Sequence, residues 1–140
     1  MRTARHDARG YSLVELMVAI GVLGLLVAIS VPAITGLVRS SRLAGASNTL
    51  AADLRYARSI ASAQRRTYAI TFATNRYSLV RVSPPATIRT RVIPRGVSFA
   101  GPDSARFFAW GLTEPATITV SDHDHSNVVR LSANGSVSHD

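Results

Sequence analysis

Two carboxylates and two imidazoles crowd into the stretch "SDHDHSN": Asp122, His123, Asp124 and His125. Divalent metals use such donors, but adjacent residues on one loop rarely close a coordination shell without distant ligands. Lying between "ATITVS" and "NVVRL", the stretch reads more simply as a polar hairpin loop, so neither a metal nor a cofactor is expected. A second group is cationic: Arg76, Arg81, Arg89, Arg91 and Arg95, with Arg106 and Arg130 further on. A stripe of guanidinium groups can follow phosphates without reading sequence, which makes nucleic-acid binding a candidate. The third is a single residue, Glu15, set inside an apolar stretch that begins at Tyr11. The chain has no cysteine, which removes thiol catalysis, disulfides and zinc-thiolate sites. It also lacks a glycine-rich phosphate loop, a nucleophile elbow and an HExxH pair, so an enzyme is not expected.

The charge balance sharpens the second candidate without deciding it. The formal charge is +8, and all 16 basic residues are arginine. Guanidinium groups bind carboxylate and phosphate in forked geometry, so an acidic partner has to be weighed. The plainer reading is a solvated basic face.

The elements that position Glu15 are more informative. No residue from Leu16 to Val38 is ionisable. As a helix this run would be ~35 Å long, enough to cross a hydrocarbon core of roughly 30 Å. Arg2, Arg5 and Arg9 precede it, offset by Asp7, and favour a cytoplasmic N-terminus; Arg39 and Arg42 follow closely and weaken that asymmetry. An ordinary secretory signal, cut near Ala28 or Ser30, competes. It fits badly, because the apolar run continues to Val38 and a glutamate stands at its start. A carboxylate deep in a bilayer costs about 2.5–3.5 kcal/mol, less near the interface, so Glu15 either snorkels to the headgroups or has a partner. A cut between Gly10 and Tyr11 would supply one. Tyr11 would then carry a free amine, and Glu15, four residues on, would share its helix face. A carboxylate there also suits the helix macrodipole, and pairing with the amine of a neighbouring copy would specify register.

The stretch "GYSLVELMVAIGVLGLLVAISVP" resembles the class III signal of type IV pilins and type II secretion pseudopilins. That resemblance implies cleavage after Gly10 by prepilin peptidase, N-methylation of Tyr11, and an assembly role for Glu15. Tyr11 stands where the family commonly has phenylalanine. Gly21, Gly24 and Pro32 would be costly in an aqueous helix, by roughly 1 kcal/mol per glycine and 3 for proline. In a bundle of anchors they allow close approach and a kink, and the resemblance implies local melting between Gly24 and Pro32. The plainer account of Pro32 is the membrane exit of the helix.

From Arg39 to about Arg66 the pattern becomes amphipathic. Leu43, Ser47, Leu50, Leu54, Ala57 and Ala61 alternate four and three apart and draw one core-facing stripe. Arg42, Asp53, Arg55, Arg58, Arg65 and Arg66 lie mostly off it. Beyond Arg66 the period switches to two. "TYAITFAT" and "RYSLVRV" read as a hairpin around Asn75, and "TIRTRVI", "VSF", "RFFAW", "ATITVS" and "NVVRLSA" as further strands. A closing hairpin is expected at Asn134-Gly135. The expected class is α+β, a long helix with a mainly antiparallel sheet laid on it.

The segment "NTLAADLRYARSIASAQRRTYAITF" resembles the GspH/FimT branch of pseudopilins, where L-x-x-x-L-x-x-A-R-x-x-A leads into the first strand. Leu50, Leu54, Ala57, Arg58 and Ala61 occupy those positions. The resemblance implies a pilin-like fold in four parts: a leader over 1–10, a membrane and filament-core helix over 11–38, a helix half over 39–66, and a β-rich head over 67–140. It implies a non-catalytic minor subunit of a periplasmic filament of type II secretion, anchored in the inner membrane by one span with its N-terminus cytoplasmic. Its partners would be prepilin peptidase, other pilin-like subunits and the inner-membrane assembly platform. The alternative is a FimT-like minor type IV pilin that binds DNA. The arginines such proteins carry in their C-terminal tail are missing from "GSVSHD".

Overall fold

The structure is a computed structural model that describes residues 12–139, omitting the side chains of residues 31–34. Its elements run α1 (Leu13–Gln64), β1 (Tyr68–Ala73), β2 (Arg76–Arg81), β3 (Ala86–Val92), β4 (Ser98–Ala100), β5 (Ser104–Phe107), β6 (Ala116–Ser121), β7 (Ser126–Leu131) and β8 (Val137–His139). They fall into two compact units, divided between Leu37 and Val38.

In the second unit, the expected helical stripe is the core. Leu43, Ser47, Leu50, Leu54, Ala57 and Ala61 are all at most 3% exposed. Leu50 and Leu54 each contribute about 1.5–3 kcal/mol of apolar burial, while the alanines let the sheets approach the helix closely. Ser47 satisfies its hydroxyl within the helix by donating to the Leu43 carbonyl at 3.0 Å. The helix closes in a Schellman arrangement: the Arg66 N–H bonds the Ala61 carbonyl and the Arg65 N–H the Ser62 carbonyl. Arg65 thereby takes φ 51°, a left-handed conformation usually given to glycine. Arg65→Gly is expected to raise head stability by roughly 0.5–1 kcal/mol, read as the urea midpoint of the detergent-solubilised chain.

The antiparallel strands expected on the helix form two four-stranded sheets, with orders β3-β2-β1-β5 and β4-β6-β7-β8. The β1–β2 hairpin pairs Ala73 with Arg76 around Thr74 and Asn75, as the sequence predicts. Period-two alternation buries Tyr77 and Leu79 from β2, Ala105 and Phe107 from β5, Ile118 and Val120 from β6, and Val129 and Leu131 from β7. Both sheets therefore share one core with the helix stripe. Phe72 and Tyr77 of the first sheet meet Phe99 of the second, with ring centroids 6.3 and 5.8 Å away.

"RFFAW" is only partly a strand. β5 stops at Phe107, and Phe108–Leu112 folds back with a Phe108 N–H to Leu112 carbonyl bond and Gly111 at φ 85°. Phe108 and Trp110 stack there, centroids 5.8 Å apart. The closing hairpin turns where expected. Gly135, at φ 80°, donates its N–H to the Ser132 carbonyl. Two arginines of α1 pin these loops: Arg55 donates to the Val137 carbonyl and Arg58 to that of Gly111.

Candidate assembly site

Gly10 and Tyr11 lie outside the described residues. Glu15 stands in the first turn of α1, where a carboxylate complements the N-terminal end of the macrodipole. It makes no ion pair among the described residues. Around and beyond it, every described large hydrophobic from Leu13 to Ile29 is between 53% and 74% exposed. By length and composition the helix is long and apolar enough to cross a membrane. Leaving such a surface in water forfeits about 1.5–3 kcal/mol per large side chain, so it requires lipid or neighbouring helices to cover it. A Cβ built on Gly21, Gly24 or Gly36 would meet nothing within 4 Å. These glycines relieve no crowding inside the chain, whereas at a helix–helix contact they would let two backbones approach. Ser30 keeps its hydroxyl compatible with lipid by donating to the Leu26 carbonyl at 2.7 Å. Gly24 and Pro32 both fall within the helix bounds.

The head holds a polar site that the helical pattern concealed. Asp53, read as mostly off the buried stripe, is only 5% exposed. Its Oδ2 accepts the Tyr77 hydroxyl at 2.7 Å and Arg91 Nε at 3.2 Å, while Oδ1 accepts Arg89 Nη1 at 3.1 Å. Strand register explains the convergence. Arg91 lies opposite Tyr77 and Arg89 opposite Leu79, which puts both guanidinium groups on the helix-facing side of edge strand β3. Arg89 also sits 4.9 Å above the Tyr56 ring, in cation–π geometry. Burial first, and the bond to Asp53 second, push the Tyr77 hydroxyl well above its usual range. The cluster latches an edge strand to the helix, and charge on that strand also discourages pairing with stray strands.

The five arginines of the nucleic-acid alternative therefore do not form one free surface. Arg89 and Arg91 are committed to Asp53, and Arg81 Nε donates to the Pro84 carbonyl at 2.8 Å. Arg76 is on the opposite sheet face from Tyr77, by strand alternation. Arg95 lies beyond β3 and makes no ion pair among the described residues. The acidic loop is a hairpin connection between β6 and β7. Asp122 Oδ1 accepts the N–H groups of Asp124 and His125, both at 2.8 Å, and these bonds hold its carboxyl below its usual range.

A family model described as type II transport protein GspH matches residues 46–135. A second, the prokaryotic N-terminal methylation motif, matches residues 5–31, which include Gly10, Tyr11 and Glu15. No curated protein sequence matches the chain. Among solved structures the fold is similar to the type IV minor pilin FimU of Pseudomonas aeruginosa strain PAO1, at a TM-score of 0.65 and 21% identity over 73% of this chain and 90% of that one. It is similar also to the minor pseudopilin EpsH from the type II secretion system of Vibrio cholerae, at 0.62 and 8% identity over 71% and 93% of the two chains. With a pilin-like fold, a methylation motif around Glu15 and a family match over most of its length, this chain belongs to the GspH family of type II transport proteins.

Proposed function

We propose that this chain is a minor pseudopilin: an anchored precursor, cut after Gly10 by prepilin peptidase and methylated at Tyr11, that assembles into a periplasmic filament of a type II secretion system. The observation that carries the reading is the exposed apolar helix with Glu15 in its first turn, inside the matched methylation motif. In the membrane the helix spans once, with the leader cytoplasmic and the head periplasmic. In the filament Glu15 pairs with the Tyr11 amine of a neighbouring subunit, and residues from Leu16 to Val38 pack the shared core. Helix loss between Gly24 and Pro32 accompanies that packing. The family description favours type II secretion over a type IV pilus. DNA binding gains no support from the placement of the arginines.

The chain has no cysteine of its own, so one introduced at a time reports contacts cleanly. Cysteines at Gly21 and Gly24 are expected to cross-link to matching cysteines in the anchor helix of a companion pseudopilin, in cells that make the assembly platform. Cysteines on the exposed head face at Arg76 are not. Equal cross-linking at both places would contradict assembly through the helix.

A further inference from the structure

The first sheet ends in an edge that the described residues leave open. β3 pairs with β2 alone, and all but the first of its residues are exposed. The other edges are closed or short. β5 is flanked by the Phe107–Thr113 bridge and by the Glu114 N–H to Arg106 carbonyl bond. Arg55 donates to the Val137 carbonyl of β8, and β4 has only 3 residues. Register fixes what β3 offers. Ile93 donates its N–H to the Asn75 carbonyl, so Arg91 opposite Tyr77 and Arg89 opposite Leu79 also turn their backbone groups to β2. The N–H and C=O groups of Thr90 and Val92 therefore point to the free side. Such an open row of backbone groups is a template for a further strand.

The side chains select the strand. On the helix-facing side stand Arg89 and Arg91, nearly half exposed although each lends one nitrogen to Asp53. Arg42 and Arg91 share the wall of a groove of about 370 Å³ between α1 and the end of β3, with Tyr77, Ile93 and Phe99 in its apolar lining. Arg42 makes no ion pair among the described residues. A glutamate suits this groove, its methylenes on the apolar lining and its carboxylate on a guanidinium. On the opposite side Val92, at 76% the most exposed large hydrophobic among the described residues, lacks an apolar neighbour across the free edge. A second copy is the wrong occupant. Beyond Val38 the chain has 13 arginines against six acidic residues, so two heads repel. We infer that the open edge of β3 docks an extended segment of an acidic partner protein, with glutamates facing Arg42, Arg89 and Arg91 and apolar residues facing Val92. The arginines that discourage stray strands favour this one. The inference concerns the head alone and does not rest on the pseudopilin reading.

The test uses the full chain in maltoside micelles with capped octapeptides of alternating Glu–Val or Lys–Val sequence. Backbone hydrogen exchange is the readout, because an added strand protects the amides of Thr90 and Val92, whereas those of Arg89 and Arg91 are already bonded to β2. At saturating Glu–Val, exchange at Thr90 and Val92 should slow by about tenfold or more. Half-saturation should come at concentrations about tenfold or more below those needed for Lys–Val. Thr90→Pro removes an outward N–H without taking a bond from β2, and should abolish the protection of Val92. Arg42→Gln leaves the Asp53 cluster intact and should weaken Glu–Val binding by about threefold. Binding that leaves Thr90 and Val92 unprotected, equal affinity for Lys–Val, no response to millimolar Glu–Val, or indifference to both variants would each overturn the proposal. Protection of the same amides on concentrating the peptide-free chain would assign the edge to a second copy, and would overturn it too.

Discussion

Asp53→Ala is expected to cost the head about 2–4 kcal/mol, the largest loss from any single side chain outside the apolar core. The substitution strips the buried Tyr77 hydroxyl of its acceptor and leaves Arg89 and Arg91 side by side without a counter-ion. Both arginines are nearly half exposed, so they can rehydrate, which keeps the loss below that of a fully buried broken pair. Against a typical domain stability of 5–15 kcal/mol this is a large fraction, visible as a Tm drop of more than about 10 °C. Tyr77→Phe should cost about 1 kcal/mol, since Asp53 keeps its two cations. Arg89→Gln or Arg91→Gln alone should cost less than about 1 kcal/mol, because the other guanidinium remains. Thermal unfolding of the four variants, followed by circular dichroism, checks the ranking. A neutral Asp53→Ala would mean that the carboxylate only rides on the helix.

Glu15→Ala should leave cleavage largely intact and reduce incorporation into filaments by two orders of magnitude or more. The estimate follows from removing one partner of an ion pair in low dielectric, about 3–5 kcal/mol, at 1.4 kcal/mol per tenfold. The sign distinguishes two accounts of the residue. If Glu15 only snorkels, alanine removes an insertion cost and incorporation stays normal or improves. If it pairs with a neighbour's Tyr11 amine, the precursor inserts well, is trimmed, and stays in the membrane unassembled. Comparing processed subunit in membranes with that in sheared filaments separates the outcomes.

Much of the fold was legible because its signals are local. The four–three spacing from Leu43 to Ala61 is a helical row, and each member is buried. Two-residue alternation marked the strands, and Asn134-Gly135 marked a turn. The division into two sheets was not legible. It depends on which distant strands pair, β1 with β5 and β4 with β6, and alternation alone does not encode partners. The end of β5 at Phe107 escaped for a different reason: Phe108 and Trp110 have strong strand propensity, yet Gly111 turns the chain. Asp53 was the main miss in the candidate sites, and a signal for it exists. Ala46, Leu50, Asp53 and Ala57 make a second four–three row beside the first, and a carboxylate on a buried row demands cations. The alternating Arg89-Thr90-Arg91 supplies them on one face of β3. What looked like a phosphate-tracking stripe was in part the counter-charge of a buried aspartate.

We propose that "RGYSLVEL" encodes a cleavage point and a new amine, on which assembly depends. Intact mass and N-terminal sequencing of the subunit, from cells with and without prepilin peptidase, test it most directly. With the enzyme the mature chain should begin at Tyr11 and carry one added methyl group; without it the leader through Gly10 should remain. A mature terminus beyond Ala28, or a Tyr11 terminus that forms without the peptidase, would contradict the account.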